Sequence, residues 1–221
     1  MKITNTEVYG FEASLRGMRN PMDSWHLQDT KRMLGIKGKY NDFKNNDLSY
    51  EAIVIGSNDM DLAKRLIKAG NEHCKFLRQI QVWADFDMPL YWWSEFDTYK
   101  FNTKNSCSTM HKLFNAKKEI ELDDFVYSKE DINTLNFIIR ELNSLRKRYL
   151  ETKDFNYVIR GKRLLPTSFK QKRTVNTNYA ELMNIYNQRK NHRLKEEWQD
   201  VFCSWCESLP CFKIFLEAKG D

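Results

Sequence analysis

Between Gln79 and Pro89 apolar side chains fall on every second position: Ile80, Val82, Ala84, Phe86 and Met88. A period of two sets one face of an extended chain against a core, so the spacing predicts a strand. Pro89 has no N–H to donate and ends the hydrogen-bond ladder. An aromatic run follows (Tyr91, Trp92, Trp93, Phe96), read as core or subunit interface ahead of a ring-stacking platform. A second strand is expected over Tyr50–Ile55, ending at Gly56. Ser57-Asn58-Asp59 then offers N-cap chemistry for a helix through Leu62, Leu66 and Ile67. The strand–glycine–helix order lacks Gly-x-Gly-x-x-Gly, which excludes a dinucleotide-binding turn.

Farther along, the period lengthens to that of a helix. Ile132, Leu135, Ile139, Leu142, Leu145 and Tyr149 share one face of the longest predicted helix, and Ser128-Lys129-Glu130-Asp131 opens it with a near capping box. A second helix is expected over Tyr179–Gln188 with Leu182, Met183 and Tyr186 inward. A third runs from about Leu194 to Ser208 on Trp198, Val201, Phe202 and Trp205, and Pro210 stops it. Segments 15–47 and 97–110 read as loops, the first with the composition of a mobile segment or lid. The expected architecture is a single α/β domain over 1–221, with 1–48 an unassigned strand and loop region and 128–210 mainly helical.

Composition narrows the class. At 221 residues, 41% hydrophobic and 14% aromatic, the chain can bury a core without disulfide or metal staples. No apolar run approaches a membrane span, and the first residues carry no apolar stretch of a secretory leader. Five cysteines, an odd number, fit a reducing compartment, so the cytoplasm is the expected location. The net charge of +6 gathers in the C-terminal half, at 146–148, 160–163, 170–173 and 189–193. Such clusters read first as solvated faces, then as contacts for a phosphorylated small molecule, and last as a polynucleotide groove.

The segment Thr98–His111 is rich in hydroxyls and amides, side chains able to hold a phosphate or a ring edge. Within it Cys107 and His111 have the letters of a thiol nucleophile and its base, a pairing that arises readily by chance. Glu95 and Asp97 read as bases, partners for Lys100, or structurally paired carboxylates. Cys203-x-x-Cys206 with Cys211 and His192 has zinc-like letters. The pair sits inside an amphipathic helix, however, so packing thiols are the better reading and no metal is expected.

Two stretches resemble the flavin-dependent thymidylate synthases. That family's motif, Arg-His-Arg-x-x-Ser-x-Asn-Glu-x-Ser-x-Arg-Tyr, lies on the chain without gaps. Thr98-Tyr99-Lys100 takes the place of the first triplet, Thr103 that of the first serine, and Asn105 and Ser108 match outright. Ser106 replaces the glutamate, Met110 the later arginine and His111 the tyrosine. The family's Arg-x-x-Leu-Pro reads Lys162-Arg163-Leu164-Leu165-Pro166 here, and its Leu-Met-Asn-x-x-x-x-Arg reads Leu182-Met183-Asn184 followed by Arg189. Gln79 stands where a cofactor-contacting histidine usually lies. The resemblance covers roughly residues 60–111 and 160–205.

The resemblance implies the family's fold, a central mostly antiparallel sheet flanked by helices. It also implies FAD as cofactor, a dUMP-like pyrimidine nucleotide, a folate one-carbon donor and a homotetramer. Residue by residue, Arg189 and Lys162 would hold the nucleotide, and Ser108 would contact the pyrimidine as the residue nearest the chemistry. Lys100, Asn105, Asn184 and Gln79 would lie on the flavin side. The departures at Thr98, Tyr99, Ser106 and Met110 remove charge-assisted contacts, each worth about 1.5–3 kcal/mol. Two functions follow. One is reductive one-carbon transfer to the pyrimidine C5; the other is a non-catalytic nucleotide-binding or protein-interaction protein on the same fold.

Overall fold

The computed structural model describes residues 1–40, 48–109, 113–114 and 117–220, and gives side chains for all of these except 32–40 and 48–52. The strands are β1 (Lys2–Tyr9), β2 (Lys31–Tyr40), β3 (Leu48–Val54), β4 (Gln81–Pro89), β5 (Thr103–Ser106) and β6 (Lys170–Asn178). They form one sheet in the order β2-β3-β1-β4-β6-β5. β2 and β3 pair antiparallel, whereas β1 and β3 pair parallel with Thr6 opposite Leu48. The α/β class is as expected: a mostly antiparallel sheet flanked by helices. Among the described residues no helix is long and apolar enough to cross a membrane.

Two compact units can be distinguished. The smaller comprises Phe86–Thr98 and Asn105–Arg173, with Met1; the larger comprises Lys2–Asp85, Tyr99–Lys104 and Thr174–Asp221.

In the smaller unit the aromatic run forms helix α3 (Leu90–Phe96), capped by Pro89. Trp92, Trp93 and Phe96 are fully buried, and Trp92 stacks on Phe96 with centroids 4.8 Å apart. The core reading of these rings holds. The longest predicted helix is α4 (Ile132–Thr152), entered through a one-turn helix at Lys129–Asp131. Ser128 and Asp131 form the capping box there, Ser128 N–H donating to Asp131 at 2.9 Å. Leu135, Ile139, Leu142 and Leu145 pack with Phe114, Phe125, Phe169 and with Val158 of α5 (Asn156–Leu164).

In the larger unit, segment 15–47 is not one loop. Helix α1 (Phe11–Gly17), single turns at Asn20–Met22 and Trp25–Leu27, and β2 occupy its described part. Gly10 precedes α1 with φ of 96°, and a Cβ there would stand 2.5 Å from the Gln79 carbonyl, so only glycine fits.

The cap of α2 (Ser57–Ala69) differs from the expected one. Gly56 is the N-cap, and no side chain of 57–59 closes the turn. The carboxylate of Asp29 does so from outside, accepting the N–H groups of Asn58 (2.8 Å) and Asp59 (3.0 Å). Desolvation raises the Asp29 carboxyl, but those N–H groups and Arg19 outweigh it and leave it below 3.8. A Cβ on Gly56 would meet that carboxylate at 2.0 Å. Asp59 is fully buried, paired with Arg19 at 2.6 Å, and also accepts the Thr30 N–H at 2.8 Å. This ties the turns carrying the exposed Met22, Trp25 and Leu27 to α2. Removing either partner of such a pair costs about 3–5 kcal/mol.

Three further helices complete this unit: α6 (Tyr179–Arg189), α7 (Ser204–Ser208) and α8 (Phe212–Lys219). Lys195–Cys203 is wound as a π-helix leading into α7, so the third predicted helix is two differently wound pieces. Tyr179 is fully buried against Phe11, Phe212 and Phe215 and donates its hydroxyl to the Pro210 carbonyl at 2.7 Å.

Candidate functional site

Helix α6 organises the site. Asn178 caps it, its side-chain oxygen accepting the Glu181 N–H at 3.1 Å. Tyr179, Leu182, Met183 and Ile185 face the core, which leaves Asn184 and Gln188 exposed one turn apart and Arg189 half-buried at the end. The guanidinium carbon of Arg189 lies 4.4 Å from the Trp198 ring centre and 5.5 Å from that of Tyr99. Its Nε donates to the Tyr99 hydroxyl at 2.8 Å. That hydroxyl donates to Gln188 Oε1 at 3.2 Å, and Gln188 Nε2 donates to Asn184 Oδ1 at 3.0 Å.

Tyr99 belongs to the short segment Tyr99–Lys104 of the same unit. Asn102 Nδ2 donates to the Tyr99 carbonyl at 2.9 Å, and Thr177 Oγ1 to the Phe101 carbonyl at 3.2 Å. Side-chain bonds to its carbonyls thus hold the segment while Phe101 is 74% exposed.

That ring forms one wall of a cavity of about 260 Å³ at the start of α6. Asn71, Asn178 and Asn184 bring amides to it, Arg78 and Lys219 cations, and Glu181 a buried carboxylate. Cys74 also lines it. Burial pushes that thiol above 9.0 against the pull of Lys219 and Arg78, so it serves as a packing group rather than a nucleophile. The set suits a planar ring with a polar edge and an attached anion: a face to stack on, amides for the edge, cations for the charge. The volume matches a ring system, not a whole dinucleotide.

The sequence-selected residues divide between the units. Asn184 is in the cavity wall, Arg189 is linked to it through Tyr99 and Gln188, and Lys100 is the exposed neighbour of Tyr99. Gln79 is also in the larger unit, exposed, with its N–H on the Phe76 carbonyl at 2.9 Å. Asn105, Ser108 and Lys162 are in the smaller unit and exposed. There Cys107 is pinned on both sides, its N–H to the Lys172 carbonyl (2.9 Å) and its carbonyl to Gln171 Nε2 (2.7 Å). Met110 and His111 lie outside the described residues. Asp97 pairs with Arg173 at 3.0 Å, as a structurally paired carboxylate does.

Cys203 and Cys206 are buried, and burial pushes Cys203 up to about 12 and Cys206 well above its usual value. His192 Nδ1 accepts the Leu194 N–H at 3.2 Å, with its ring against Trp198. Among the described residues no three His, Cys, Asp or Glu side chains gather as metal ligands. Sequence reasoning missed Asn178, Phe101, Arg78, Glu181 and Lys219. The Asn178–Glu181 spacing is a readable helix start, whereas Arg78 and Lys219 come together only through the fold.

No family model matches the chain, and no curated protein sequence does. Solved structures do. A flavin-dependent thymidylate synthase ThyX from Helicobacter pylori, complexed with FAD and dUMP, is similar at 17% identity and a TM-score of 0.67, over 98% of this chain and 97% of that one. A second structure of Helicobacter pylori ThyX with FAD and dUMP is similar at 16% identity and a TM-score of 0.68, over the whole of both chains. A UMP/dUMP methylase, PolB, from Streptomyces cacaoi bound with 5-Br dUMP is similar at 14% identity and a TM-score of 0.50, over 75% of this chain and 82% of that one. The fold expected from the two motif blocks, that of the flavin-dependent thymidylate synthases, is the fold of this chain.

Proposed function

We propose that this chain binds a dUMP-like pyrimidine nucleotide and FAD and carries out reductive one-carbon transfer to the pyrimidine C5. One observation supports this above the others. On a fold shared along its whole length with FAD- and dUMP-bound enzymes, the cavity at Asn184 gathers a stacking ring, amides and two cations within one unit. Bound FAD would supply the reducing equivalents. The chain's own part is to stack the ring on Phe101, meet its edge with Asn178 and Asn184, and balance phosphate with Arg78 and Lys219. Arg189 would bind nucleotide oxygens with its planar fork. Lys100 and Gln79 keep flavin-side roles in the larger unit. In the smaller unit Ser108, Lys162 and Asn105 keep the roles the resemblance implies, each a single-residue proposal. A folate is the one-carbon donor and the assembly a homotetramer.

A second reading, a non-catalytic nucleotide-binding or protein-interaction protein, is favoured by one feature. Where the family motif has arginine and glutamate, Thr98 and Ser106 stand, both exposed. Visible spectroscopy and calorimetry separate the two. The first reading expects absorbance near ~450 nm from retained or added FAD. It also expects dUMP binding at micromolar concentration that Arg189→Ala weakens at least tenfold without unfolding the chain. A protein that stays colourless with FAD yet binds dUMP supports the second. One that binds neither ends both.

A further inference from the structure

Arginine has donors and no acceptor, and this fixes more than its own position. Because Arg189 Nε donates to the Tyr99 oxygen at 2.8 Å, the Tyr99 proton must go onward, and it goes to Gln188 Oε1 at 3.2 Å. With its oxygen engaged, Gln188 faces Asn184 with its NH2 group, which donates to Asn184 Oδ1 at 3.0 Å. With the Tyr99 proton on Gln188, turning that amide over would set its NH2 group against the hydroxyl and its oxygen against Asn184 Oδ1. Asn184, which lines the cavity, therefore has its oxygen engaged and its NH2 group as the remaining donor. At the other end, the same tyrosine bonds the guanidinium whose carbon lies over the Trp198 ring, 4.4 Å from its centre.

We propose that Tyr99 is the positioning residue of this site. It orients Arg189 and, through Gln188, commits Asn184 to donate, so the cavity selects a ring whose edge there carries acceptors, carbonyl oxygens or unprotonated ring nitrogens. This rests on the reading that the cavity and Arg189 serve one ligand pair. A ring presenting an amine at that edge meets a like donor and is disfavoured, because a donor that loses water without gaining an acceptor is costly to leave unsatisfied.

The test uses the full chain with FAD and dUMP as probes. Tyr99→Phe keeps the ring and loses the hydroxyl. It is expected to weaken dUMP about tenfold, roughly the worth of one hydrogen bond to a charged group. Asn184→Asp, which can only accept, is expected to weaken FAD more than Asn184→Ala, which merely leaves space. Unchanged dUMP affinity in Tyr99→Phe, or Asn184→Asp binding FAD as well as Asn184→Ala, overturns the proposal. A readout without ligand keeps it distinct from the proposed function. In ¹⁵N NMR the Arg189 Nε–H is expected as a slowly exchanging resonance in the wild type that is lost in Tyr99→Phe. If that signature is present while neither FAD nor dUMP binds, the functional reading fails, and with it the ligand choice, but the positioning stands. If it is absent in the wild type, the positioning itself is refuted.

Discussion

Among the described residues Arg173 and Arg189 lie over buried indoles, and their surroundings differ. In the smaller unit the Arg173 guanidinium sits 4.2 Å from the Trp93 ring centre and gives one nitrogen to both oxygens of Asp97, at 3.0 and 3.1 Å. Its Nε donates to Gln171 Oε1 at 3.0 Å, and Trp93 donates its indole N–H to the Gln171 carbonyl at 2.9 Å. Gln171 in turn gives its Nε2 to the Cys107 carbonyl at 2.7 Å, so these bonds fasten backbone within the smaller unit. In the larger unit Arg189 sits 4.4 Å from Trp198, but its Nε bond opens a relay through Tyr99 and Gln188 to the cavity wall. Stacking on an indole thus does not mark a ligand-binding arginine. What differs is the partner of the fork: a carboxylate and an amide on Arg173, a tyrosine hydroxyl that bonds onward on Arg189.

The largest expected effect concerns what the two share. Trp93 and Trp198 are both fully buried, so alanine at either position should destabilise its surroundings by about 3–5 kcal/mol, read from urea unfolding. If Trp198→Ala costs less than about 1 kcal/mol, the π-helical segment that carries it is not packed as described, and the parallel breaks.

The same pair shows what the sequence could tell. β4 was legible because its alternation is strict and its inward residues are apolar; α4 was legible because a capping box precedes a clean helical period. β6 was not. Its inward positions include Gln171 and Thr177, buried polar groups satisfied by Cys107 and Phe101 carbonyls, so Val175 alone is too little for an apolar alternation and its cations read as a solvated cluster. The cap on α2 was misread for a related reason: Asp29 supplies it from a distant stretch of chain. For the site, Asn184 and Arg189 were named from one helix, yet Tyr99 was seen only as a departure from a motif. Its bond to Arg189 spans 90 positions, beyond any local pattern.

A medium effect tests the closed pair against the open relay. Asp97 is 44% exposed on its side chain, so losing its bond to Arg173 should cost only about 1 kcal/mol of stability. Asp97→Ala should also leave dUMP affinity where it was, because neither Asp97 nor Arg173 lines the cavity. A loss of dUMP affinity in Asp97→Ala as large as that expected for Tyr99→Phe would erase the distinction.

The smallest effect uses another tyrosine hydroxyl of this region. Tyr186, also on α6, donates to the Glu207 carboxylate at 2.6 Å, and Lys213 pairs with the same carboxylate at 3.0 Å. Desolvation pushes the Glu207 carboxyl up, but the Tyr186 hydroxyl and Lys213 outweigh it and hold it below 4.5. A carboxyl lowered by folding stabilises the fold above its unfolded value, and that stability is lost as pH falls through the folded one. Urea unfolding should therefore show part of the acid-side loss, below about pH 4.5, arising from Glu207. Glu207→Gln keeps an acceptor for Tyr186 and cannot titrate. Its cost at neutral pH should stay under about 1 kcal/mol, because Glu207 is a third exposed, and its acid limb should be flatter than the wild type's. Tyr99 ends on an amide where Tyr186 ends on a carboxylate, so Gln188→Ala should leave that acid limb unchanged. An equal flattening in both variants would mean that the two hydroxyls are not separate circuits on one helix.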